Sequence, residues 1–77
     1  MLAVKVAVIE SERGWGQKID DYMVCLSIED ANKFKQEFNS ENTESAVPVA
    51  IDITDSQMKK LKNTKTQRMW LANLRKY

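Results

Sequence analysis

The stretch "LAVKVAVIE", Leu2 to Glu10, sets Val4, Val6 and Val8 against Lys5, Ala7 and Ile9 in strict alternation. Period-two alternation marks a β-strand, and here the second side is nearly as apolar as the first. Such a strand belongs inside a sheet, with a neighbour along each edge. The chain has 77 residues, near the lower limit for a self-contained core, so residues 1–77 are expected to form one domain around it. "ERGWGQK" follows, with the two glycines of the chain on either side of Trp15. Ile19, Tyr22, Met23 and Val24 then mark a second strand near Lys18 to Leu26. Two strands joined by a glycine-containing turn predict a β-hairpin.

"LSIEDANKFKQEFNSEN" predicts a helix. Ser27 is a good N-cap, Glu29 and Asp30 oppose the positive end of the helix dipole, and Ile28, Ala31, Phe34, Lys35 and Phe38 keep helical spacing. "AVPVAIDI" alternates at Val47, Val49, Ile51 and Ile53. This is a third strand, and Pro48 restricts it to an edge or to its first residues. "ITDSQM" carries a T-x-x-Q capping box at Thr54 and Gln57, with Ile53 and Met58 in the two staple positions. The helix that starts there cannot continue unbroken into one core. Met58, Leu61, Met69 and Ala72 would share one side, and Trp70, Leu71 and Leu74 the opposite one. Either the helix breaks near residues 62–66, where Thr64 and Gln67 repeat the box spacing, or the second side meets a partner; the break is favoured. The expected fold is α+β, in the order ββαβα. A right-handed crossover gives a three-stranded sheet of order 2-1-3, with the helices on one face.

The chemistry on offer is limited. The chain has no histidine, which removes the commonest general base and metal ligand. Cys25, the single cysteine, sits in an apolar run and reads as a small buried hydrophobe. Asp20 and Asp21 are adjacent, and on a regular strand neighbours point to opposite faces, so they are not expected to share a proton or a metal. No cofactor, no metal and no enzymatic activity are expected. No run of residues resembles a signal peptide or a membrane span, so the expected location is the cytoplasm.

Recognition remains, and charge suggests where. Up to Thr54 the chain has five Lys/Arg against ten Asp/Glu; beyond it, seven Lys/Arg face Asp55 alone. A one-signed segment steers partners, although it can also be a solvated helix face. Trp15 between its glycines is either a lid folded onto the sheet, an exposed anchor for a protein or, with Arg13 and Lys18 beside it to neutralise phosphate, a ring that stacks on a nucleobase.

The run "VAVIESERGWGQKIDDY", the helix pattern S-x-E-D-A-x-x-F-x-x-E-F-N and the valine–proline pair carry a resemblance over Val4 to Pro48. They resemble a group of short bacteriophage-encoded early proteins that share an ESERGWGxK hairpin followed by a helix. The resemblance implies a phage protein that modifies or blocks host machinery, in the cytoplasm of the host cell. Many members continue after the proline with an aromatic-rich strand. Here a basic segment stands instead, which suggests that this segment defines the partner.

Two functions are expected. The first is a non-enzymatic effector that binds and inhibits a host or defence protein through Arg13, Trp15, Lys18, Trp70 and Leu74. The alternative is an RNA- or DNA-binding protein using Lys59, Lys60, Lys62, Lys65, Arg68, Arg75 and Lys76. Lys59, Lys62 and Arg68 alternate with the apolar residues of the segment and read as side chains that need not be buried.

Overall fold

In the computed structural model, β1 (Leu2–Glu12) lies inside a four-stranded antiparallel sheet. Residues 1–12, 16–38, 43 and 45–77 are described, those at 10–12 and 16–18 by their backbone only. β2 (Gly16–Cys25) pairs along one edge of β1, and β3 (Val49–Asp52) along the other. The three expected strands thus stand in the expected order, with the proline strand at an edge. The sheet then continues past β2 to β4 (Met69–Trp70), in the order β3-β1-β2-β4. This fourth strand was not expected.

The helices are α1 (Ile28–Phe38), α2 (Asp55–Asn63) and α3 (Leu71–Leu74). Ser27 Oγ accepts from Asp30 N–H at 3.1 Å and caps α1. The Thr54 box is complete: Gln57 N–H donates to Thr54 Oγ1 at 3.1 Å, and Thr54 N–H to Gln57 Oε1 at 3.0 Å. The staple residues Ile53 and Met58 are both buried in one cluster.

Placing all helices on one face of the sheet proves incorrect. Val6, Val8, Met23 and Cys25 pack with Ala31 and Phe34 of α1. Ala3 and Val24 pack instead with Met58 and Leu61 of α2 and with Leu71 and Leu74 of α3. Strand side chains alternate between faces, so these are opposite sides of the sheet. The architecture is three layers, with α1 below and α2 with α3 above. The cause lies in β1 and β2, both apolar on their two sides, which water would otherwise wet on one of them.

The last helix does break, but Thr64 does not start a second one. Thr64 closes α2: its Oγ1 donates to Leu61 O at 2.8 Å, and its N–H reaches the same carbonyl at 3.3 Å. Gln67 N–H donates to Thr64 O at 3.2 Å, and Gln67 itself has φ 57°, which turns the chain back toward the sheet. Met69 pairs with Val24 and Trp70 with Met23. Met69 therefore joins the α2–α3 cluster and Trp70 the α1 cluster. Only Trp70 changes side, while Leu71 and Leu74 join Met58, Leu61 and Met69 in one cluster, so the two opposite apolar sides of a continuous helix are not kept.

Candidate functional site

The six cations Lys59, Lys60, Lys62, Lys65, Arg75 and Lys76 are all exposed. They lie on α2, on the turn after it and on the C-terminal turn, because Met58 and Leu61 take the inward side of α2 and Leu71 and Leu74 that of α3. Two contacts hold these segments together. Gln57 Nε2 donates to Leu74 O at 3.4 Å, and Lys60 Nζ lies 4.9 Å from the Tyr77 ring centroid. Asp55, in the first turn of α2, is the one acidic residue in this stretch of sequence. The result is a basic outer layer above the sheet.

Arg68 does not belong to that layer, contrary to its expected exposure. Its side chain is 14% exposed. It reaches down to α1, where Nε and Nη2 donate to the two oxygens of Asp30 at 3.2 and 2.9 Å, and Nη1 to Glu37 at 2.7 Å. The guanidinium carbon stands 5.5 Å from the Phe34 ring centroid. Hydrogen bonding from Arg68 is the leading reason that the Asp30 carboxyl is held below the usual carboxylate range, and Asp30 in turn raises the guanidinium pKa. A fork bound at both ends to α1 is a structural clasp between layers.

The proposed protein anchors fare differently. Leu74 is fully buried in the core above the sheet, and Trp70 is half-buried against the α1 cluster. Leu71 and Leu74, from the second apolar side of the C-terminal segment, pack inside the chain, and Trp70 keeps partial exposure. Arg13 and Trp15 lie outside the described residues; Lys18 pairs with Glu10 through its backbone, and its side chain also lies outside them. The choice between lid and anchor for Trp15 falls there too.

Two features escaped the sequence. The first is a β-bulge: Val8 pairs with Asp21 and Ile9 with Ile19, leaving Asp20 as the extra residue. A bulge breaks the regular alternation, and the two aspartates line one open cleft of about 350 Å³ with Trp70 and Asn73. The second feature is Tyr77, exposed beside Lys60; an aromatic following Arg75 and Lys76 was its only sequence signal.

Cys25 is fully buried, and loss of solvent, with the Asp30 carboxylate nearby, pushes its thiol up to about 12. A thiol so held is a poor nucleophile at neutral pH. Among the described residues, no group of three His, Cys, Asp or Glu is placed to hold a metal ion, and no helix is long and apolar enough to cross a membrane. No protein-family model matches the chain, nor does any curated protein or solved structure.

Proposed function

We propose that this protein binds nucleic acid without catalysing a reaction, using the basic layer of α2 and the C-terminal turn. The single observation that carries this reading is the set of six exposed cations on one layer, with Arg68 withdrawn to the opposite one. Exposed lysines that neutralise phosphates release condensed counterions, so affinity comes mainly from salt-dependent electrostatics. The expected phage origin supports the cytoplasm of a bacterial host as the setting of this activity.

The test is fluorescence anisotropy with a labelled oligonucleotide over a range of salt. The change Lys59→Gln with Lys62→Gln should lower the slope of log K against log salt by about 1.4–1.8, the loss of two phosphate contacts. Melting temperature should not move, because both side chains are exposed. Absence of binding to RNA and to DNA at low salt would end this reading.

One observation favours a second reading, the inhibitor of a host or defence protein. Trp70 keeps partial exposure on a cleft with two carboxylates and the Asn73 amide. A basic side chain from a partner protein would find both charge and an aromatic wall there. Trp70→Ala would then release the protein partner while leaving oligonucleotide binding and its salt slope unchanged.

A further inference from the structure

We infer that the nucleic acid held on the basic layer is single-stranded, with Tyr77 as the platform on which one base stacks. This rests on the nucleic-acid reading above. Phe38 and Tyr77 are the exposed aromatic residues among the described ones. Phe38 ends α1, on the opposite side of the sheet, and packs on Phe34 with ring centroids 5.1 Å apart. Only Tyr77 stands among the cations.

Its position is fixed at both ends. Tyr77 N–H donates to Leu74 O at 3.1 Å, and Leu74 is locked in the core. Lys60 Nζ sits over one side of the ring at 4.9 Å, and 51% of the residue remains exposed. Arg75 and Lys76 precede it, both exposed. A ring and several phosphate-binding cations are thus presented together.

That combination discriminates between nucleic acids. In a duplex the base faces are already stacked on one another, and an outside ring meets only backbone. In a single strand every base has a free π-face, which a protein aromatic can cover while neighbouring cations hold the phosphates. Lys60 covers one face of the ring, which leaves the other face for a base, and Arg75 and Lys76 are the exposed cations that precede the ring in the chain. Stacking of this kind does not read sequence, so weak sequence preference is expected.

The experiment compares a labelled single strand of about 12 nucleotides with its duplex. It uses the full chain, Tyr77→Ala, Tyr77→Phe and the Lys59/Lys62 double variant, with melting temperatures as the control for folding. The wild type should prefer the single strand by about tenfold, Tyr77→Ala should lose that preference, and Tyr77→Phe should keep it. Salt slopes of both Tyr77 variants should match the wild type, because no phosphate contact is removed. Equal affinity for single strand and duplex, or an unchanged preference in Tyr77→Ala, would overturn the inference. The nucleic-acid reading would survive that result if binding stayed salt-dependent and weakened in the Lys59/Lys62 variant. Lack of binding to either ligand at low salt would overturn both.

Discussion

Replacing Arg68 by Gln should damage this fold more than any exposed lysine change. Its side chain is 14% exposed and that of Asp30 27%. An exposed ion pair contributes about 0.5 kcal/mol, whereas removing one partner of a buried pair costs about 3–5 kcal/mol. The bidentate Asp30 arm lies between these limits, at about 2 kcal/mol. The Glu37 arm, with its carboxylate half in solvent, adds about 0.3 kcal/mol. Contact with the Phe34 ring adds about 0.5 kcal/mol. Arg68→Gln is therefore expected to lose about 2–3 kcal/mol, a fall in melting temperature of about 10–20 °C for a chain of this size.

Urea denaturation followed by circular dichroism measures the loss, and a double-mutant cycle with Asp30→Asn assigns it. Coupling between the two sites should be at least about 1 kcal/mol, since Asp30→Asn removes the unpaired carboxylate that Arg68→Gln leaves behind. The sign with pH follows from the direction of the Asp30 shift. A carboxyl whose folded pKa is depressed stabilises the fold above its unfolded value of about 3.9. That stabilisation is lost as pH falls through the folded value. The gap between wild type and Arg68→Gln should close over the same range. A loss under about 0.5 kcal/mol, or zero coupling, would refute the clasp.

Thr54→Ala should cost about 1 kcal/mol in urea denaturation without changing oligonucleotide affinity, because it removes only the cap of α2; unchanged stability would mean that the box contributes nothing. Cys25 should resist thiol reagents in the native state at pH 8 and react once urea is added; rapid native labelling would contradict its burial. Because the folded Cys25 pKa is raised to about 12, the unfolded chain loses its thiol proton first, and stability should decline as pH rises from the ordinary thiol range toward that value. Cys25→Ala should remove that alkaline decline.

Local signals determined the elements of this protein. The alternation of β1, the Ser27 cap of α1 and the Thr54 box of α2 each depend on residues within a few positions of one another, so they were legible in the sequence. The break after α2 was legible too, from the jump in apolar phase. What replaced the helix was not, because two residues carry no periodicity, and Met69–Trp70 form a strand only where the edge of β2 offers hydrogen bonds. Assigning the helices to both faces required knowing which side of the sheet each apolar stripe meets, although the two apolar sides of β1 already called for cover on both. The candidate site divides in the same way. The basic character of the C-terminal segment was visible as charge, but Arg68 left it for a carboxylate 38 residues away. The bulge at Asp20 is a register shift against β1, a pairing that the spacing within either strand does not show. Contacts between distant residues are made only once layers pack, so no spacing along the chain records them.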